Sequence, residues 1–363
     1  MSDDRRAKSA NIFDVARLAG VSHQTVSRVV NNLPNVRPAT RARVEQAIAQ
    51  LHYSPSPAAR ALVTRRTRTI GLITPDTADF GPTSIAMHFN VAARAERYNV
   101  DAVTSPDSDP AAVREVIEGL LRQRVDAIVL IVTDVGILEV VRGLDLSLPL
   151  VAAAATQHRH PDLVSIDQYR GARSAVRHLA ELGHTRIHHL AGPPRNPDAL
   201  ERLRGWRDEL AARALVAVDP EHGDWSAGSG YRIGSTLELS GPSAVFVAND
   251  HMAIAAMDVL RLELGLRIPE DVGVIGFDDV PQAAWGAYQL TTVCQRVEPM
   301  VDAAVTLLRE RMSGQAPARD IVVPCVLVER KTVRPAAPTA SGSPPGTGTR
   351  RVRRGASPEG DPG

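Results

Sequence analysis

Cysteine is almost missing from this chain: Cys294 and Cys325 are the only two in 363 residues. That excludes a disulfide framework and a cysteine-rich zinc site, and it fits a reducing compartment. Aromatic residues make up only 4% although 44% of residues are apolar, so any core must be built from aliphatic side chains and alanine. No run of about 18 apolar residues occurs, which leaves no candidate membrane span. Residues 1–10 are polar and charged without an apolar stretch, so no export signal is expected there.

Net charge is also nearly absent, at +1, but its distribution is uneven. Residues 1–69 hold 12 of the 42 Lys and Arg and 4 of the 41 Asp and Glu, a net of +8 that leaves −7 on residues 70–363. A basic head on an acidic body is the electrostatic footprint of a protein that meets a polyanion. A solvated basic helix pair would carry the same charge, so the inference needs specific residues.

Those residues lie in a series of short helical patterns. Ile12, Val15, Ala16 and Ala19 share one face, and Gly20-Val21 interrupts it. Ser22 is suited to cap a second helix whose Val26, Val29 and Val30 form an inward stripe. Pro38 fits the first turn of a third, with Val44, Ala47, Ile48 and Leu51 inward. With the valines turned in, His23, Gln24, Ser27 and Arg28 point outward. Gln24 and Arg28 stand one helical turn apart, and their side chains can pair bidentately with adenine and guanine edges. Ser54-Pro55-Ser56-Pro57 and Ala58–Val63 follow, a stretch too short to be a stable helix alone.

From Thr69 the texture changes. Apolar runs at 70–73, 127–132, 148–153, 187–190, 244–247 and 272–277 alternate with amphipathic stretches at 110–123, 171–182, 200–212, 252–264 and 299–311. This alternation predicts parallel doubly wound sheets, and the number of strands predicts two similar lobes with a ligand between them at the strand ends. Residues 335–363, rich in Pro, Gly, Ser and Thr, are expected to be disordered and contain no heptad pattern.

The stretch D-V-A-R-L-A-G-V-S-H-Q-T-V-S-R-V-V-N-N, residues 14–32, resembles the signature of the LacI/GalR family of bacterial repressors, and the likeness continues to about Arg334. It implies an all-α helix-turn-helix headpiece with a hinge helix, followed by a two-lobed α/β core like periplasmic binding proteins. The implied limits are a flexible start at 1–10, a headpiece at 11–53, a hinge at 54–69, a core at 70–334 crossing between lobes near 166 and 295, and the tail. The implied partners are a palindromic operator, a sugar-like small-molecule effector and a second copy of the chain. No cofactor, metal or membrane is implied. The DNA-contacting set is then Ser22, His23, Gln24, Thr25, Ser27, Arg28 and Asn31, with Ala59 and Leu62 in the hinge, where the family's leucine enters the minor groove. Arg37 stands where the family usually has a capping serine before the third helix.

For the effector, the resemblance places a clamping arginine four residues before Trp206, which is Arg202. Val247-Ala248-Asn249-Asp250 and Gly276-Phe277-Asp278-Asp279 end strands, and Gly223-Asp224-Trp225-Ser226 presents an indole. Arg202, Trp225, Asn249 and Asp278 together suit a polyhydroxylated ring, through forked donors, amide and carboxylate acceptors and a stacking face. Each also has a plain structural reading: Asp250 and Asp278 as helix caps, Trp225 as core and Arg202 in a surface ion pair. On the opposite lobe Phe80 and Ile85, with Asp79, are expected to form a wall, and Ile131, Ala154 and Val297 stand where sugar-binding family members carry polar or aromatic contacts.

Two rival classes remain to be weighed. An enzyme would need chemistry that the cluster His184, His188 and His189 does not offer, since it lacks the i, i+4 helical spacing of a zinc site. A periplasmic binding protein would share the body but has no use for the basic head. Corepression and activation use the same parts as induction, and the sequence leaves them open.

Overall fold

The computed structural model describes residues 10–31, 33–53, 66–105, 109–142, 146–154, 162–239, 243–314, 317 and 319–336. The expected hinge helix, with Ala59 and Leu62, and the tail beyond 336 lie outside the described residues.

Three helices form the head: α1 (Ile12–Ala19), α2 (His23–Val30) and α3 (Pro38–Gln50). At the start of α1 the Asn11 side chain accepts from the Asp14 amide while the Asp14 carboxylate accepts from the Asn11 amide, a reciprocal cap. Gly20 ends the helix at φ 64°, the left-handed region where glycine has no Cβ penalty. Ser22 Oγ accepts from the Thr25 amide and so starts α2 as expected. Arg37 gives α3 no side-chain cap, and Pro38 at the first position removes one amide that would otherwise need a partner. Val15, Ala16, Ala19, Val26, Val29, Val44 and Ala47 close the small core.

The body contains two six-stranded sheets. The first is built from β1 (Thr69–Pro75), β2 (Asn99–Ser105), β3 (Ala127–Ile131), β4 (Leu150–Ala153), β5 (Leu163–Ile166) and β11 (Ile321–Val323), in the order β11-β5-β4-β3-β1-β2. All its pairings are parallel. The second comprises β6 (Arg186–Ala191), β7 (Glu221–His222), β8 (Ser243–Val247), β9 (Gly273–Asp278), β10 (Thr291–Cys294) and β12 (Val326–Val328). Its order is β12-β10-β9-β8-β6-β7, parallel except for the antiparallel β12.

Helices cover both faces of each sheet, as buried parallel strands require. On the first sheet α4 (Phe80–Ala95) and α11 (Val297–Met312) pack on one side, and α5 (Pro110–Arg122) with α6 (Val135–Arg142) on the other. On the second, α9 (Ala227–Gly234) and α10 (Asp250–Leu262) oppose α7 (Gln168–Glu181) and α8 (Pro197–Ala212). The chain passes between the sheets after Ile166, after Cys294, and a third time between Val323 and Val326. Helix α11 follows the second passage yet packs Val297, Met300 and Val301 into the first lobe. The third passage, through Pro324 and Cys325, has no counterpart in the sequence expectations. Among the described residues no helix is long and apolar enough to cross a membrane.

Candidate functional site

On the head, Ser22, His23, Gln24 and Arg28 are solvent-exposed, whereas Val26 and Val29 of the same helix are buried. The exposed face therefore carries the two side chains suited to base edges. Thr25, Ser27 and Asn31 are only half-buried and already have local partners. The Ser22 and Thr25 hydroxyls lie 3.0 Å apart, and the Asn31 amide donates to the Ser27 carbonyl at 2.9 Å. His23 lies against the exposed Phe13 ring, with centroids 5.3 Å apart.

In the body, all six sequence-expected effector residues line one cleft: Phe80, Ile85, Arg202, Trp225, Asn249 and Asp278. The cleft lies between the lobes and encloses about 690 Å³, including solvent at its mouth. Its second-lobe wall forms because β6, β8 and β9 end there, so the residues just beyond each strand converge, as in other open α/β sheets.

Arg202 is the centre of this wall, and it is no surface residue: only 3% of it is exposed. Its Nε donates to Gln168 Oε1 at 2.9 Å, its Nη1 donates to the Ala248 carbonyl, and its guanidinium is 3.4 Å from the Asp278 carboxylate. Gln295 closes a ring by donating to Asp278 Oδ1 at 2.6 Å while accepting from Gln168 at 2.8 Å. The guanidinium also lies 3.8 Å from the Phe277 ring centroid and 5.4 Å from that of Trp225. A buried charge is tolerated only with such a complete set of partners.

Burial raises the Asp278 carboxyl to about 6, against the opposing pull of Arg202 and Gln295. Asp250, behind it, is also pushed well above the ordinary carboxylate range, by burial and then by the charge of Asp278. Asp250 is not the helix cap: it accepts from the Val280 amide at 2.9 Å and the Thr292 hydroxyl at 2.6 Å, and so fixes the turn after β9. In that turn Asp278 and Asp279 take φ values of 118° and 63°, unusual for side-chain-bearing residues. Asn249 does cap α10, accepting from the Met252 amide, and its Nδ2 donates to the Trp225 carbonyl at 2.9 Å. Gly192 makes room for the indole, since a Cβ there would lie 2.2 Å from the Trp225 ring.

Sequence reasoning did not single out Gln168, Asn196, Asp198 or Gln295, which line the same cleft. Gln168 and Gln295 each follow a buried strand at its carboxyl end, and that position is the signal that would have found them. The histidine cluster does other work. His189 is packed against Phe246 and Trp206, its Nδ1 donates to the Phe246 carbonyl at 3.0 Å, and burial lowers it to about 3. Among the described residues no group of His, Cys, Asp and Glu could hold a metal ion.

A helix-turn-helix head joined to a two-lobed α/β body with a polar cleft defines a ligand-responsive DNA-binding regulator. Comparison with known proteins gives the family. Residues 11–56 match the pattern of bacterial regulatory proteins, lacI family, and residues 176–333 match the periplasmic binding protein-like domain. The lactose operon repressor of Escherichia coli (strain K12) is 33% identical over 340 residues, covering 92% of this chain and 94% of that protein. The regulator GalS of Salmonella typhimurium is 36% identical over 318 residues, covering 84% and 90%. Among solved structures, the lac repressor dimer bound to operator and the anti-inducer ONPF superposes with a TM-score of 0.83 at 32% identity, over 90% of this chain and all of that one. A complex of the regulator CelR with cellobiose gives 0.65 at 30% identity, over 89% and 99%. The chain belongs to the lacI family of bacterial regulatory proteins. Its relatives are transcriptional regulators, and it is one too, not an enzyme.

Proposed function

We propose that this regulator is a homodimeric repressor of carbohydrate-utilisation genes that holds a palindromic operator and leaves it when a small sugar-like effector binds. In this reading residues 11–53 are the DNA-binding headpiece, 54–69 the hinge, 70–334 the effector-binding and dimerisation core and 335–363 a tail, in a cytoplasmic, nucleoid-associated protein. His23, Gln24 and Arg28 read base edges; Ser22, Thr25, Ser27 and Asn31 place the helix on the duplex. Ala59 and Leu62 belong to the hinge, with Leu62 wedged at the operator centre.

The observation that carries the effector half is the convergence of Arg202, Trp225, Asn249 and Asp278 on one inter-lobe cleft. Carboxylate and amide acceptors beside a forked donor and an indole match vicinal hydroxyls and the C–H face of a sugar ring. The relatives solved with operator and with cellobiose support the same assignment of DNA and sugar. A ligand that binds the closed and open arrangements unequally shifts their populations, and two heads on one dimer transmit that shift to the operator half-sites.

Binding of variants to specific and random duplexes over a range of salt tests the DNA half. Gln24→Ala and Arg28→Ala should each cost about 1–3 kcal/mol on the specific site. Leu62→Ala should weaken specific binding and spare most of the salt-sensitive non-specific binding. Equal loss of both modes in Leu62→Ala would remove the wedge from the account.

A further inference from the structure

The edge of the first lobe where the chain arrives from the head is built of strand starts and helix ends. Strands β3, β1 and β2 lie side by side, and the register of Thr69 with Asn99 and of Ile70 with Ala127 brings their first residues level. Helices α4 and α5 finish at the same edge, just before β2 and β3. The linker is pinned there: the Thr67 and Arg68 amides donate to the Asp126 carboxylate at 2.8 and 3.0 Å, and the Asn99 amide donates to the Arg68 carbonyl at 2.8 Å. Residues 54–65 tie this edge to the head. Even fully extended, that stretch reaches at most about 45 Å.

An exposed arginine in the left-handed region stands before each of the three strands: Arg68 at φ 55°, Arg97 at φ 62° and Arg124 at φ 59°. Arg97 and Arg124 lie just past helix ends, where the Tyr98 and Val125 amides return to the Ala93 and Leu120 carbonyls. Glycine is the usual residue in that turn, because it has no Cβ to clash. After α7, α8 and α11 the same place holds Gly183, Ala214 and Gly314. At the linker edge the chain holds guanidinium groups instead.

The charges at this edge do not cancel. Asp126 is engaged by the linker amides, Glu96 by Arg309 at 3.7 Å, Asp162 by Arg311 at 2.8 Å and Glu310 by Arg319 at 2.7 Å. Arg97 and Arg124 make no side-chain hydrogen bond or ion pair with any described residue. The Arg68 guanidinium lies over the Tyr98 ring, 5.4 Å from its centroid. The dipoles of α4 and α5 attract cations here as well, but Arg68 follows no helix. Residues 70–363 are net −7, so the edge runs against the charge of the body. Three adjacent strands span about 10 Å, a length of duplex that carries about six phosphate charges.

We infer that this edge is a second DNA-contacting surface, where Arg68, Arg97 and Arg124 meet the phosphates of the duplex that the head holds. It reads no bases. It adds salt-sensitive affinity on any sequence, and a homodimer presents it twice.

Fluorescence anisotropy of the full-length protein on a random-sequence duplex of about 40 base pairs, from about 50 to about 200 mM KCl, tests this. The combined variant R68Q/R97Q/R124Q should bind at least about tenfold more weakly at the low-salt end. Its slope of log affinity against log salt should be shallower by about 2–3 per protomer. R68K/R97K/R124K should retain the slope. R97G/R124G, in which glycine suits the backbone, should melt no lower than the parent protein and still lose about 2 from the slope per protomer. Unchanged affinity and slope in R97G/R124G would overturn the inference, and so would a loss in the lysine variant equal to that in the glutamine variant.

Discussion

Arg202 shows how much one side chain carries in this molecule. It is buried, paired with Asp278 and hydrogen-bonded to Gln168 and the Ala248 carbonyl. Arg202→Ala should abolish the effector response while the head still binds DNA; a variant that responds normally would take Arg202 out of the pocket. The same change leaves Asp278 buried without its cation, a loss of about 3–5 kcal/mol where the carboxylate must stay charged. Thermal melts should show the loss near pH 8 and a smaller one near pH 5, where Asp278 is protonated. The raised value of about 6 also sets the sign of two pH effects in the intact protein. The folded state holds this proton more tightly than the unfolded chain, so its contribution to stability is fully present below about pH 4 and is lost as pH rises through 6. Effector binding runs the other way, because hydroxyls donate to the carboxylate: affinity measured by titration should fall as pH drops through 6.

At the scale of elements, α7 and α8 are joined by one carboxylate. Glu209 accepts from Arg173 at 2.8 Å, Arg177 at 3.2 Å and Arg213 at 2.9 Å. Burial pushes its carboxyl up, but the three arginines outweigh that and hold it at about 2. Its stabilisation is therefore present above about pH 4.5 and lost as pH falls toward 2. Glu209→Gln should cost about 1–3 kcal/mol in denaturant unfolding at pH 7, a penalty that shrinks over that acid range. Helices α9 and α10 meet through glycine instead. A Cβ at Gly230 would lie 2.3 Å from the Met252 carbonyl oxygen and 2.5 Å from its Cα, backbone that cannot move aside. Gly230→Ala should destabilise by about 1–3 kcal/mol, read as a lower melting temperature. The sequence showed these elements unevenly. Central strands such as β3, β8 and β9 were legible because burial on both faces makes them continuous apolar runs. The edge strand β2, Asn-Val-Asp-Ala-Val-Thr-Ser, is half-exposed and carries no such run. Helix α4 was hidden by Gly81-Pro82, although a proline in the first turn breaks no hydrogen bond. Strand β4 begins two residues later than the apolar run at 148–153, since Pro149 has no amide to give the ladder.

At the scale of the whole molecule, function depends on how the lobes sit against each other. Asp134, after β3, accepts from Arg195 Nε and Nη2 of the second lobe, both at 2.7 Å, and the Val135 amide donates to the Arg195 carbonyl at 3.1 Å. The arginine side chain is 65% exposed, so water screens the pair and its value is at most about 1 kcal/mol. Arg195→Ala should accordingly change effector affinity by no more than about fivefold in calorimetry, and a hundredfold change would mean that this contact dominates the lobe equilibrium. The two-lobed body and the head were legible because strand, helix and cap signals repeat along the chain. Six cleft residues were legible, Arg202 through family resemblance and Asn249 and Asp278 through their places at strand ends, with Trp225, Phe80 and Ile85 beside them. The bond between Gln168 and Gln295 was not legible, because partners 127 residues apart leave no local pattern, although the strand-end position of each residue by itself was readable; the passage through Pro324 and Cys325 was not legible either.

In the proposed reading one chain reads a symmetric DNA site and lets go of it on binding a small sugar-like effector. Selection of the purified protein against a palindrome library, with and without a panel of sugars and glycosides, tests it most directly. One near-symmetric site should be enriched without ligand and lost with at least one member of the panel. Absence of any enriched symmetric site at low salt, in all conditions, would contradict it.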